Sequence, residues 1–310
     1  MKKYIWKRLL SMLVTLWLII TLTFFLMHAI PGSPFNEERA TNETVQRNLE
    51  AHYNLDKPLF FQYLFYLKSV ATFDFGPSIK KSSQTVNEML GNGFPISFEL
   101  GIYTLIVAVI SGIFLGVVAA LRHNKLIDYL AMTIAVLGIS IPNFILATLL
   151  IQQLAVNLDW FPVATWKSWK HMILPVLALA TGPMAIIARL TRASMLEVLT
   201  QDYIQTAKAK GLSPLKIVIK HALRNALLPV VTILGSMAAS ILTGTFVIEK
   251  IFAIPGMGRY FVESINTRDY PVIMGTTVFY SSILIVMLFL VDLAYGILDP
   301  RIKLYKKEVR

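Results

Sequence analysis

The chain contains no cysteine among its 310 residues, and this absence removes several kinds of chemistry at once. Disulfide bridges, thiolate nucleophiles and cysteine metal ligands are all excluded. Charged side chains are also scarce, at 15% of residues, against about 25% in a typical soluble domain. Hydrophobic residues make up 55%, and the mean hydropathy is +0.62. The composition therefore predicts a membrane protein.

Several motifs that mark enzymes and channels are missing as well. No GxxxxGK[ST] phosphate loop occurs, so we do not expect the chain itself to hydrolyse ATP. No HExxH or GxSxG motif occurs, and the five histidines show no metal-ligand spacing. Nothing marks a serine and a histidine at one membrane depth, as an intramembrane serine protease needs. A channel should show a selectivity filter or a ring of charges, and the sequence shows neither.

Long apolar runs are what the sequence has in abundance, several of them near the roughly 20 residues that cross a bilayer. The first run follows a basic start and is longer than a signal-peptide core, with no cleavage site after it, so we expect a retained helix. The predicted fold class is an all-α polytopic membrane protein with six transmembrane helices. These lie at residues 9–27, 96–121, 126–154, 172–190, 227–248 and 272–298.

The lysines and arginines predict the orientation, because cytoplasmic segments are enriched in both. With the amino terminus in the cytoplasm, most of the 29 basic residues fall on the cytoplasmic side, and six spans return the carboxyl terminus there. This bias accounts for the net charge of +11, so nucleic-acid binding is not expected. Asp292 stands out as an acid inside a span, and we expect it to pair with a basic residue.

A polar stretch at residues 200–232 interrupts the apolar second half of the chain. It predicts two short helices separated at Gly211, where a left-handed conformation would end the first helix. We expect Thr200 to cap the first helix, and Ser213 and Pro214 to begin the second. The second helix is predicted to carry an apolar stripe and a cationic stripe. Their members are Leu215, Val218, Ile219, Ala222, Leu223 and Ala226, and Lys216, Lys220 and Arg224.

This stretch resembles the cytoplasmic coupling loop, or EAA loop, of ABC importer permeases. The runs AKGL and HALRNALLP are similar to those of the peptide-importer branch. Gln205 stands where the general motif has glutamate, so that glutamate's role does not transfer. A solvated loop between two membrane helices is the alternative. The resemblance implies an ATPase-coupling surface formed by Gln205, Thr206, Ala207, Lys208, Ala209, Gly211, Leu212 and Arg224.

A second signature, GTFVIEKIFAIPGMGRYFVESINTRDYP, occupies residues 244–271. It resembles the extracytoplasmic segment of peptide-importer permeases, in which a short re-entrant helix covers the translocation path. We expect Gly258 to permit a sharp change of direction after the turn at Pro255. A plain surface loop is the alternative. The resemblance implies an outer gate formed by Glu249, Pro255, Gly256, Gly258, Arg268 and Asp269.

The resemblance covers almost the whole chain, including the Asp299-Pro300-Arg301 ending, and is closest to the B-type membrane subunit of the oligopeptide permease. It implies a type I ABC importer permease fold, with both termini cytoplasmic. Residues 1–30 would form a tail and the first transmembrane helix, and residues 31–95 an extracytoplasmic region. Residues 96–310 would form the permease core, with the coupling loop at 191–228.

The resemblance also implies the partners of this chain in a bacterial cytoplasmic membrane. They are a homologous second permease that completes a heterodimer, two ATP-binding subunits, an extracytoplasmic peptide-binding protein and membrane lipid. The chain itself would hold no cofactor or metal, because ATP and Mg would bind to the ATPase subunits.

The implied function is import of oligopeptides by alternating access. One alternative is an importer of the same build for dipeptides, nickel or another small ligand. A different class is a stand-alone secondary transporter, which would need inverted repeats and ion sites at mid-membrane. The sequence shows no internal repeat, and copurification with an ATPase would separate the two classes.

Overall fold

The computed structural model describes residues 2–29, 51, 53–81, 83–243 and 245–298, and these are almost entirely helical. Residues 31–50, 52 and 82 of the predicted extracytoplasmic region lie outside the described residues, as do residue 30, Gly244 and the Asp-Pro-Arg ending. The helices are α1 (Lys2–Ala29), α2 (Leu59–Thr72), α3 (Val86–Leu121), α4 (Leu126–Ser140), α5 (Asn143–Leu150), α6 (Trp169–Leu199), α7 (Asp202–Ala209), α8 (Pro214–Lys216), α9 (Leu223–Ala226), α10 (Leu228–Thr243), α11 (Phe246–Ile251), α12 (Met257–Thr267) and α13 (Tyr270–Leu298). Two π-helical segments, Ile151–Asn157 and Ile217–Ala222, follow α5 and α8.

Five helices of the described chain are long and apolar enough to cross a membrane, and a bent helix pair gives a sixth span if its two halves cross as one. The five are Trp6–Ala29, Val86–Leu121, Trp169–Leu199, Leu228–Ile251 and Tyr270–Leu293. In this pair, the chain bends by 106° between Leu126–Ser140 and Asn143–Asn157. Pro142 causes the break, because it lacks a backbone N–H and forces the preceding residue into an extended conformation. The all-α, six-span fold class is confirmed.

The chain divides into two compact units. The first contains residues 1–97 and 255–289, and the second contains residues 98–254 and 290–310. In the first unit α1 packs against α2 through aromatic and polar contacts. The ring of Phe24 stacks on Tyr66 with centroids 5.8 Å apart, and His28 Nε2 lies 3.0 Å from Gln62 Oε1.

In the second unit a row of small, buried side chains lines one face of α3. Its members, spaced by three or four residues, are Gly101, Thr104, Ala108, Gly112, Gly116 and Ala120. A Cβ atom on Gly116 would lie 2.5 Å from the carbonyl oxygen of Ala188 in α6. A Cβ atom on Gly112 would lie 2.8 Å from Cβ of Ile187. The backbones of α3 and α6 therefore approach so closely that only glycine fits at these crossings.

The ends of α3 and α6 support the polar stretch that follows. Seven buried side chains from five segments form one apolar cluster, which we call the platform. Its members are Ala120, Met195, Ile204, Ala207, Ile217, Ala222 and Ala226. The platform holds α7 and the 214–226 segment against the transmembrane helices of the second unit.

Candidate functional site

The first half of the candidate coupling loop is α7, which ends in a hydrogen-bonded left-handed turn. The backbone N–H of Gly211 donates to the carbonyl oxygen of Lys208 at 2.9 Å, and that of Leu212 donates to Ala207 at 3.3 Å. This pair of bonds defines a Schellman motif, which needs a left-handed residue at its centre. Gly211 has φ +72, so the predicted positive φ is confirmed.

The caps of the two helices differ in part from the prediction. Thr200 does not cap α7, because it belongs to the turn that ends α6 and its hydroxyl donates to the carbonyl of Glu197 at 2.7 Å. Gln201 occupies the cap position instead, without a side-chain capping bond. Ser213 and Pro214 do precede and begin α8, as predicted.

The second predicted helix is not a uniform α-helix, because its centre is the π-helical segment Ile217–Ala222. The platform residues Ile217 and Ala222 are five positions apart, which is the spacing that i→i+5 hydrogen bonding places on one face. Leu215 and Ile219 are instead 69% and 59% exposed. The predicted apolar stripe is therefore wrong at these two positions, since it assumed 3.6 residues per turn throughout.

The exposed side of this region forms a continuous candidate surface, which we call the coupling face. Of the residues expected there, Gln205, Thr206, Lys208, Ala209, Gly211 and Arg224 are exposed, and Leu212 is half-buried. Ala207 is only 5% exposed and belongs to the platform, which corrects the expectation of a small side chain presented to a partner. Leu215 and Ile219 add apolar area among the exposed cations Lys216 and Lys220. The coupling face thus combines exposed apolar side chains with positively charged ones.

Two side-chain contacts hold the coupling face in place. The side-chain amide of Asn225 donates to the hydroxyl of Tyr203 at 2.8 Å, which links α9 to α7. Further back, Arg192 of α6 donates from Nε and Nη2 to the two oxygens of buried Asp128, at 2.6 and 2.8 Å. The backbone N–H of Asn124 donates to the same carboxylate at 3.0 Å. This bidentate pair fixes the start of α4 to α6, near the beginning of the predicted coupling loop at 191–228.

Sequence reasoning missed this pair. Asp128 lies in the first turn of α4, where an acid is favoured by the helix dipole alone, so it gave no sign of a distant partner. The sequence analysis singled out Asp292, which is half-buried, whereas Asp128 and Glu249 are fully buried acids within helices.

The candidate outer gate is organised by Asp269, a buried carboxylate just before α13. It accepts hydrogen bonds from the hydroxyl of Ser78 and from the backbone N–H groups of Ile79 and Lys80, both at 3.2 Å. It also accepts from the backbone N–H of Val272 at 3.5 Å. Asp269 therefore ties the loop around residues 78–81 to the start of α13.

The start of α12 is held against the outer end of α3 within the first unit. The backbone N–H of Met257 donates to the hydroxyl of buried Ser97 at 2.9 Å, so α12 is capped by a side chain from another helix. A Cβ atom on Gly93 would lie 2.9 Å from the same nitrogen. Gly256 is extended, with φ −88 and ψ −175. Gly258 lies in the first turn of α12, so the predicted change of direction there is wrong.

The remaining gate candidates are distributed as follows. Pro255 is exposed before α12, and Arg268 follows α12 in a left-handed conformation with φ +55. Glu249 is fully buried in α11, where the hydroxyl of Thr245 donates to it, and it belongs to the second compact unit. The other five candidates belong to the first unit. In the part of the chain that the structure describes, no group of His, Asp or Glu side chains could hold a metal ion.

Comparison with known proteins assigns the family. Residues 112–304 match the model for the binding-protein-dependent transport system inner membrane component, and residues 1–100 match the model for its N-terminal part. The chain belongs to this family. It is therefore a multi-pass permease component of the cell membrane, and a component of this kind is not itself catalytic. The resemblance to the peptide branch is confirmed by relatives that match over nearly the whole chain.

Among these relatives, a dipeptide transport system permease protein, DppB of Bacillus subtilis, is 74% identical over 99% of this chain and 100% of its own length. An oligopeptide transport system permease protein, OppB of Haemophilus influenzae, is 45% identical over 98% of this chain and 100% of its own. DppB of Lactococcus lactis is also 45% identical, over 98% and 100%.

Solved structures agree on the fold. One is the crystal structure of an amino acid ABC transporter with histidines, with a TM-score of 0.53 at 16% identity, covering 68% of this chain and 94% of that one. The MetNI methionine ABC transporter in an inward-facing conformation gives a TM-score of 0.53 at 20% identity, covering 66% and 92%. The predicted type I ABC importer permease fold is confirmed.

Proposed function

We propose that this chain is the permease subunit of an ABC importer that moves oligopeptides into the cell by alternating access. The observation that carries the proposal is full-length similarity to permeases named for dipeptide and oligopeptide transport, from 74% identity downwards. Both names refer to short peptides as the transported substrate. Import of dipeptides by the same architecture is the second candidate, favoured by the name of the 74% identical relative.

The coupling face is the proposed contact with a cytoplasmic ATPase subunit. Exposed Leu215 and Ile219 offer apolar anchors, and the lysines and Arg224 around them offer charge. Such a mixture is typical of the centre and rim of a protein interface. Because the platform packs α7 and the 214–226 segment onto α3 and α6, a push on the coupling face is transmitted to two transmembrane helices.

The other subunits of the proposed complex supply the functions that this chain lacks. Two ATP-binding subunits hold ATP and Mg and hydrolyse the nucleotide. A homologous second permease completes the heterodimer and, with lipid, covers the apolar side chains exposed along α3 and α4, such as Ile110, Phe114 and Leu130. An extracytoplasmic peptide-binding protein delivers the cargo.

We assign the proposed outer gate to α12 and to the residues at its two ends. In the structure, the side chain of Ser97 caps the amino-terminal end of α12. Beyond its carboxyl-terminal end, Asp269 binds the loop around residues 78–81. If α12 moves when ATP binds, the bond between Ser97 and Met257 has to break. A single neutral hydrogen bond contributes only about 1 kcal/mol, which ATP binding can readily overcome.

Uptake in reconstituted vesicles tests the proposed function. The chain is assembled with its second permease, both ATPase subunits and the binding protein, and labelled peptides of two, three and five residues are offered outside. We expect uptake of all the peptides that the binding protein delivers, with strict dependence on ATP. If only the two-residue peptide is taken up, the proposed substrate becomes dipeptides instead of oligopeptides. Uptake driven by an ion gradient, without the ATPase subunits, would instead make this chain a secondary transporter.

A further inference from the structure

A polar cavity opens beside α12 on the outer side of the first unit. Its volume is about 560 Å³, and we call it the outer cup. The side chains that line it are Lys80, Lys81, Ser83, Gln84, Arg259 and Tyr260. Three of these six are cations and none is an acid. The outer cup was not among the sites expected from the sequence.

Only one of the three cations is neutralised by a neighbour. Lys81 Nζ lies 3.0 Å from Glu263 Oε2 and 5.8 Å from the centre of the Tyr260 ring. Asp269, the nearby second acid, is buried beneath the loop and already accepts bonds from Ser78 and from the backbone of that loop. Lys80 and Arg259 form no ion pair with any described residue. The outer cup therefore presents two positive charges without a counter-ion among the residues that the structure describes.

The two walls of the outer cup are held firmly at the backbone. On one wall, Asp269 accepts the backbone N–H of Lys80, and the hydroxyl of Ser78 accepts the backbone N–H of Lys81 at 2.8 Å. On the other wall, Arg259 follows the Met257 turn that Ser97 caps. An anion entering the cup would thus meet cations whose main chains are already ordered, which lowers the entropic cost of binding.

We propose that the outer cup binds a carboxylate, and that this is the terminal carboxylate of the peptide cargo as it leaves the binding protein. The inference rests on the proposed function. A planar guanidinium and an ammonium match a carboxylate in charge and in hydrogen-bond geometry. Ser83, Gln84 and the Tyr260 hydroxyl supply further donors and acceptors for the adjoining peptide amide.

Peptides with free and amidated carboxyl ends provide the test. Transport is measured with the complete complex in vesicles, at saturating binding protein, for a peptide and its amide that the binding protein delivers equally. The variants are Lys80→Gln, Arg259→Gln and the double change. Lys68→Gln is the matched control, because Lys68 is an exposed cation of α2 outside the outer cup.

We expect each single variant to lower the maximal rate for the free peptide about fivefold, and the double variant to lower it more than about tenfold, as loss of charge-assisted hydrogen bonds predicts. The amide should change less than about twofold, which also shows that the variants fold. The control should behave as wild type with both peptides.

The other outcomes are distinguishable. Equal losses for both peptides, together with a raised half-saturating concentration when the binding protein is titrated in a separate series, would assign the cup to acidic side chains of the binding protein and overturn the cargo site. Unchanged rates with both peptides would remove carboxylate binding from the cup altogether. If the wild-type complex transports neither peptide, it is the proposed function that fails.

Discussion

The turn at Gly211 allows the coupling proposal to be tested with a known backbone cost. Gly211 has φ +72, and a Cβ atom built there meets no atom within 4 Å. The Cβ atom of a substituted valine therefore meets open space, so the expected penalty is conformational. A left-handed conformation costs an L-residue about 1–2 kcal/mol, with β-branched residues at the upper end. Such a penalty reduces the population of the intact turn by a factor of about 5 to 30.

The expected consequence is a loss of coupling with little loss of protein. Gly211→Val should weaken the two hydrogen bonds that end α7, made by Gly211 and Leu212, and displace the adjoining part of the coupling face. Peptide-stimulated ATP hydrolysis and uptake should both fall, while insertion into the membrane is retained. Gly211→Asn should stay close to wild type, because asparagine tolerates the left-handed region better than valine does.

A matched control exists elsewhere in the chain. Gly76 has φ +76, and a Cβ atom added there would also meet no atom within 4 Å, so Gly76→Val carries the same backbone penalty outside the coupling face. Gly76→Val should leave peptide-stimulated ATP hydrolysis close to the wild-type rate. Normal peptide-stimulated ATP hydrolysis by Gly211→Val, at a normal protein level, would refute the assignment of Gly211 to the coupling site.

Three further predictions concern packing, the ion pair and the gate. Gly116→Ala should lower stability by about 1–3 kcal/mol, because its methyl group meets the Ala188 carbonyl, and thermal unfolding in detergent checks this. Asp128→Ala should cost about 1–3 kcal/mol, because partly exposed Arg192 loses its carboxylate partner and keeps its contact with His123, and Asp128→Ala with Arg192→Leu should recover part of that loss in the same assay. A cysteine in place of Ile265, which is 50% exposed on α12, can be labelled cleanly in a chain without other cysteines, and an impermeant thiol reagent should react at different rates in the resting and ATP-trapped complexes. Equal rates with transport intact would leave α12 as a fixed surface helix.

Features set by short-range chemistry could be predicted from the sequence. The lengths of the apolar runs determined the spans, since bilayer thickness fixes the number of helical residues needed. Pro142 broke the third span, and Gly211 took the left-handed conformation, because each effect depends on the residue and its immediate neighbours. The motifs around Gly211 and Gly256 identified the branch of the family, which full-length relatives confirm.

Features that depend on distant partners could not be predicted in this way. The pairing of Asp128 with Arg192 joins residues 64 positions apart, and nothing local to either residue identifies the other. The repeat of small residues along α3 was visible in the sequence, but nothing in the sequence indicated that this face packs against α6. Burial of Ala207 depended on the platform residues that pack against α7. Exposure of Ile219 depended on the π-helical segment, which changes the face that each following residue occupies. Local sequence determines which conformations a segment can adopt, whereas tertiary packing decides which side is covered and therefore which residues remain available to a partner.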